Sequence, residues 1–232
     1  SNSISSNSVL KIASSKNKNI LWIGTRDGGA NKFDLIHNTF TKIDFVKTDS
    51  ISAAINSVYN LLEDIEGNIW LGTEAGIFKY NTTNLKIQEI YSPADSKIIP
   101  KSILYSDEQN PNLIWFSTME NSINSYDLAT NEIRNFQVEF DVTDETTRYI
   151  SVINGSVKDK FLLGFFQDGV KVFDKITGNC DSQNLGNLDF SYVNGSVIFS
   201  IFQDNSGIFW VGTETGLSKL NPHKTKFLSY KS

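Results

Sequence analysis

Cysteine, methionine, histidine and proline are all scarce in this chain: one Cys, one Met, two His and four Pro among 232 residues. A single cysteine, Cys180, excludes an internal disulfide, leaves the redox compartment open and reads as an incidental loop residue. Positive charge is scarce too. Lys and Arg number 21 against 26 Asp and Glu, a net charge of −5, and no cluster gathers the cations. Nothing here would hold a phosphate backbone by counterion release, so nucleic acid is excluded as a partner of this segment. No apolar run approaches the ~20 residues that span a bilayer, and no signal peptide opens the chain. A glycine-rich phosphate loop and a nucleophile elbow are also missing. The chain begins Ser-Asn and stops just after a complete repeat, the expectation for a piece of a longer parent whose export signal and membrane anchors lie elsewhere.

What is present is repetition. Hydrophobic residues at 39% and charged residues at 20% describe an ordinary globular protein, and 12% aromatic content favours strands. Aligning the tryptophans gives Ile20-Leu21-Trp22-Ile23-Gly24-Thr25, Asn68-Ile69-Trp70-Leu71-Gly72-Thr73, Leu113-Ile114-Trp115-Phe116-Ser117-Thr118 and Ile208-Phe209-Trp210-Val211-Gly212-Thr213. A degenerate copy reads Lys160-Phe161-Leu162-Leu163-Gly164-Phe165. Trp22 to Trp70 is 48 residues, Trp70 to Trp115 45, Trp115 to Leu162 47 and Leu162 to Trp210 48.

The second copy shows the order of signals. Strand A at 57–62 ends in a turn that holds Asp64 and Gly67; strand B, 68–72, leads through a tight turn at 73–76 to strand C, 77–80; a polar hairpin at 81–84 precedes strand D, 86–90. Four short strands joined by hairpin turns, repeating without helical periodicity, predict an all-β fold. It is a β-propeller of five four-stranded antiparallel blades at about 7–46, 55–92, 101–140, 147–183 and 195–230, either one domain over 1–232 or a segment of a larger propeller. Trp22, Trp70, Trp115 and Trp210 are expected to fill the space between neighbouring sheets. Gly24, Gly72, Gly164 and Gly212 leave room for the next blade, and Gly29, Gly76, Gly169 and Gly216 supply the B–C turns. Ser117 in the third copy, and the missing Trp and Thr of the fourth, predict local irregularity there. Strand A of the first copy (8–13) and strand D of the fifth (226–230) bound the chain in phase, with no spare strand to complete a shared blade. Either blades one and five meet, or each keeps a bare apolar side that a second molecule covers.

If A runs down, B up, C down and D up, the B–C turns and the D–A connections share one end, which is the candidate binding face. The turns contribute Arg26 and Asp27, Glu74, Met119 with Glu120 and Asn121, Gln167 and Asp168, and Glu214 with Thr215; the connections add Tyr91, Arg148, Tyr149, Phe190 and Tyr192. Carboxylates, amides and aromatic rings together suit a polyhydroxylated ligand, and a solvated loop surface is the alternative. Catalysis finds little support. His37 and His223 fall in C–D hairpins at the opposite end, where they read as exposed turn residues and build no triad or metal site. The acidic run at 141–145 lacks the glycine and spacing of a calcium loop and reads as a connection. No metal or cofactor is expected.

The stretch Leu-Trp-Ile-Gly-Thr-Arg-Asp-Gly-Gly (21–29), Glu63-Asp64 to Gly67 with Ile69-Trp70-Leu71-Gly72-Thr73, and 202–222 resemble the two-component regulator propeller repeat. The resemblance implies a non-catalytic periplasmic sensor region of a hybrid histidine kinase/response regulator of Bacteroides type, in an inner-membrane-anchored parent that detects oligosaccharides. It also implies other propeller, immunoglobulin-like and kinase parts elsewhere in that parent, and a homodimer. Two other readings stand beside it: a propeller scaffold for dimerisation or protein docking without a small ligand, and a lyase-like propeller enzyme, which needs a histidine and an acid on one face.

Overall fold

Short runs rich in Ile, Val, Leu and aromatics, each closed by a Gly or Asx turn, form antiparallel strands. The computed structural model describes residues 2–43, 56–92, 104–107, 109–118, 122–138, 150–180, 184–186, 188–221 and 228–231. Among these there is no α-helix, and Phe190–Tyr192 makes a 3₁₀ turn. The first sheet is β1 (Val9–Ser14), β2 (Ile20–Thr25), β3 (Ala30–Asp34) and β4 (Thr39–Lys42); the second is β5 (Val58–Glu63), β6 (Ile69–Thr73), β7 (Gly76–Tyr80) and β8 (Ile87–Tyr91). The third is β9 (Leu104–Ser106), β10 (Leu113–Thr118), β11 (Ser122–Asp127) and β12 (Ile133–Gln137). The fourth holds β13 (Ile150–Val157), β14 (Lys160–Phe165) and β15 (Val170–Asp174), and is followed by the two-stranded pair β16 (Asn184–Leu185) and β17 (Leu188–Asp189). The fifth is β18 (Ile198–Gln203), β19 (Phe209–Thr213), β20 (Gly216–Leu220) and β21 (Leu228–Lys231). In each sheet the strands lie in chain order, so this is a propeller of four-stranded antiparallel blades.

The fourth blade departs from expectation. It has three strands among the described residues, and 181–183, at the end of its expected range, lie outside them. The copy that lacks the Trp and the Thr is thus the irregular one.

The chain divides into two compact units: Ser1–Thr118 with Ser125–Glu132, and Met119–Asn124 with Ile133–Ser232. In the first unit, Val58 and Leu61 of β5 pack with Trp22 and Ala30 of the first sheet and with Ile69, Leu71 and Phe78. Gly24 permits this approach, since a Cβ there would stand 2.7 Å from the Val58 carbonyl oxygen and 3.1 Å from Leu61 Cδ2. A second core joins Trp70 and Ile77 to Leu104, Ile114, Phe116 and Tyr126. Trp70 meets the Tyr126 ring edge-on at 5.1 Å. In the second unit, Leu162, Val170 and Val172 of the fourth blade pack with Ile198, Ile201, Phe209 and Val211 of the fifth. Leu162, standing where the other copies have Trp, still fills the inter-blade space.

The Asp of the A–B turn has a second task. Asp64 Oδ1 accepts from the Glu66 and Asn68 N–H groups while Oδ2 accepts from the Trp70 indole Nε1 at 2.8 Å. Asp204 repeats the pattern, with the Ser206 and Ile208 N–H groups on Oδ1 and Trp210 Nε1 on Oδ2 at 2.9 Å. The seven-residue span from Asp to Trp therefore locks the turn to the packing residue. The Ser206 hydroxyl and the Trp210 indole hold the Asp204 carboxyl down at about 2.

Trp70 is fully buried, whereas Trp210 is half-buried, because its face of the fifth blade carries no covering sheet among the described residues. Trp70→Ala is therefore expected to cost ~3–5 kcal/mol in chemical denaturation and Trp210→Ala roughly 1–2, with His37→Ala within ~0.5. Because the Asp204 pKa is depressed from 3.8 to about 2, the stability it contributes is fully present above pH 3.8 and is lost as pH falls through about 2. Asp204→Asn should flatten that acid limb of the denaturation midpoint against pH; an unchanged limb would remove Asp204 from the linkage.

Candidate functional site

The Thr that follows each Trp-x-Gly staples the B–C turn. Thr25 Oγ1 donates to the Gly29 carbonyl at 2.8 Å, and Thr73 Oγ1 to that of Gly76 at 3.1 Å. Gly76 takes φ +132°, where any Cβ would collide with the Tyr91 carbonyl. The turn is then tied to the segment leading into strand A. Arg26 N–H donates to the Ser8 carbonyl at 2.9 Å, Gly29 N–H to that of Asn56 at 2.8 Å, and the Ser57 hydroxyl to the Arg26 carbonyl. In the second unit Gly169 N–H donates to the Ser196 carbonyl at 2.9 Å. B–C turns and the D–A connections thus share an end within each unit, as the strand order requires.

A β-bulge recurs at this end. Register shifts lie between Val9 and Lys11, Val58 and Asn60, Ile150 and Val152, and Ile198 and Ser200, leaving Leu10, Tyr59, Ser151 and Phe199 as the extra residues. At Tyr59 the bulge has a chemical consequence. The phenol donates to Glu74 Oε1 at 2.6 Å. Burial pushes Tyr59 up to about 12, the bond and the charge of Glu74 add to the rise, the Arg26 guanidinium pulls down and Asp27 pushes up again. Arg26, Asp27 and Glu74, all exposed, are therefore gathered around Tyr59 from two successive blades. The group offers guanidinium donors, carboxylate acceptors and a ring, a set that can hydrogen-bond and flank a hydroxyl-rich molecule. Tyr59 was missed in the sequence because strict alternation along 57–62 cannot reveal a bulge.

The second unit uses its turn acids differently. Glu214, at the position of Glu74, accepts from the Ser196 and Val197 N–H groups, both at 2.9 Å. Burial raises its carboxyl, but these donors outweigh it and hold the acid below its ordinary range. Asp168 forms a buried ion pair with Lys171 at 3.0 Å. Both expected ligand contacts are thus engaged in holding their own turns. Tyr192 lies exposed on the 3₁₀ turn, and Phe190 is buried against Phe209. Met119, Glu120, Asn121, Arg148, Tyr149, His223 and the acidic run 141–145 lie outside the described residues. His37 sits in the β3–β4 hairpin, exposed, with Nδ1 3.1 Å from Asp34 Oδ2. The His37 backbone N–H and ring hold Asp34 down at about 2.

The description "two component regulator propeller" matches residues 53–75 and 191–215, which are strands A and B of the second and fifth blades. A protein named histidine kinase P4 of Formosa agariphila is 26% identical over 162 residues, 68% of this chain, and the match spans about a tenth of that protein's length (11%). Among solved structures, the extracellular domain of a protein classed as a hybrid two-component system of B. thetaiotaomicron superposes with a TM-score of 0.72 at 22% identity, covering 97% of this chain and 30% of that one. One classed as a one-component system of the same bacterium gives 0.72 at 21%, over 91% and 27%. A β-propeller domain of Myceliophteria thermophila gives 0.65 at 12%, over 93% and 65%. The likenesses of fold and the two sequence matches converge: this chain is a β-propeller that carries two-component regulator propeller repeats.

Proposed function

We propose that this propeller is the non-catalytic periplasmic sensor segment of a histidine-kinase-type two-component protein, and that it binds or relays an oligosaccharide signal. The observation that carries this reading is the two-component regulator repeat in two separate blades of one chain. The resemblance to extracellular domains of two-component proteins, and to a histidine kinase, supports it. In the parent, further propeller, immunoglobulin-like and kinase parts would receive the signal. The group of Arg26, Asp27, Tyr59 and Glu74 is the contact place this reading selects. Its side chains come from turns and a bulge, so their identity can change while the blades stay constant.

Calorimetric titration of oligosaccharides against the purified chain tests the reading. For a sugar that binds, Arg26→Ala, Glu74→Ala and Tyr59→Phe are each expected to weaken affinity by ~1–3 kcal/mol, roughly 5- to 150-fold, with melting temperature nearly unchanged. Asp168→Asn should do the reverse. It leaves Lys171 buried without its counter-ion, costing on the order of 3 kcal/mol of stability, and leaves affinity intact. His37→Ala and Asn81→Ala, in the hairpins of the far end, should change neither. No binding by any oligosaccharide, or affinity lost only at the far end, would defeat the assignment.

A further inference from the structure

Successive blades join by one repeated contact. The preceding blade presents a face built on its Trp and Gly; the following blade lays two aliphatic residues of strand A on it. Between the first and second blades these are Val58 and Leu61, 0% and 1% exposed, against Trp22 and Gly24. Between the fourth and fifth they are the buried Ile198 and Ile201, packed with Leu162. The pairing register puts Val9 and Ile12 of the first blade in the places of Val58 and Leu61, opposite Thr25 and Ile23 as those are opposite Thr73 and Leu71. Yet Val9 is 44% exposed and Ile12 57%.

The fifth blade has the converse vacancy. Phe202, Trp210 and Lys219 lie in one cross-strand row, and Ser200, Gly212 and Leu217 in the next. They correspond to Leu62, Trp70 and Lys79, and to Asn60, Gly72 and Ile77, of the second blade. There Trp70 and Ile77 are fully buried against the third sheet. In the fifth blade Phe202 is 62% exposed, Leu217 stands out into solvent and Lys219 folds over the Trp210 ring at 4.8 Å from its centroid. The chain thus bears an unfilled Trp–Gly face and an unseated strand-A pair.

We propose that these two surfaces are the halves of one blade–blade contact, and that this chain joins them head to tail with a second copy. The occupant is specified by the repeat itself. A face that receives an aliphatic pair in the other blades is matched, on this same chain, by an aliphatic pair with nowhere to sit. Such a contact is heterologous, so each added copy leaves both surfaces open at the ends of the assembly.

Sedimentation equilibrium of the 232-residue chain should show concentration-dependent association beyond the monomer. Phe202→Glu and Ile12→Glu should each sediment as monomers at the same concentrations, with unchanged circular dichroism, since both side chains are exposed. Leu217→Lys and Val9→Lys provide the same pair of tests should either first variant fold poorly. An equimolar mixture of Phe202→Glu and Ile12→Glu should form a one-to-one dimer and nothing larger, because one intact half survives on each. A wild-type chain monomeric at every concentration, a single variant that still associates, or a mixture that stays monomeric would overturn the proposal.

Discussion

The seating of strand-A aliphatics on the Trp–Gly face of the preceding blade is the contact on which the rest of the structure depends. A four-stranded sheet with two apolar faces has no stable life alone in water, and stacking on its neighbours buries both. The missing Cβ of Gly24 admits the Val58 backbone, and the indole of Trp22 or Trp70 supplies the bulk that a flat sheet lacks. The Asp64 and Asp204 carboxylates then hold the tryptophans by their only polar atom. Strands, turns and packing residues in each repeat are consequently bound into one unit, and little of it is free to change.

That rigidity confines chemical variety to the ends of the sheets, where position alone does not tell what a residue does. Glu74 and Glu214 occupy the same place in the repeat. Glu74 meets a phenol because a bulge delivers Tyr59 to it; Glu214 meets two backbone N–H groups because the chain before β18 turns back over it. A carboxylate saturated by its own backbone has little left to offer a ligand, whereas one at the rim beside a guanidinium and a second acid keeps acceptor capacity. Asp168 makes the same point, since its charge is already matched by Lys171.

The propeller is shared well beyond signalling proteins. A propeller domain at 12% identity superposes nearly as closely as the bacterial extracellular domains do, so architecture carries no functional assignment by itself. The repeat matched in the second and fifth blades is more discriminating, because it is local sequence imposed on that architecture.

Much of the fold was legible in the chain: the Trp spacing marked the blades, the Asp and Gly pairs marked the turns, and strand order placed the B–C turns beside the D–A connections. These are local or periodic properties, and short-range sterics and hydrogen bonding are enough to specify them. Arg26, Asp27 and Glu74 were legible as turn residues for the same reason. What each turn residue touches was not, because it depends on the neighbouring blade, some 48 residues away, and on a one-residue register shift that alternation conceals. The bulge at Tyr59, the saturation of Glu214 and the exposure that separates Val9 from Val58 were therefore decided by tertiary packing alone, where identical local sequence meets different surroundings.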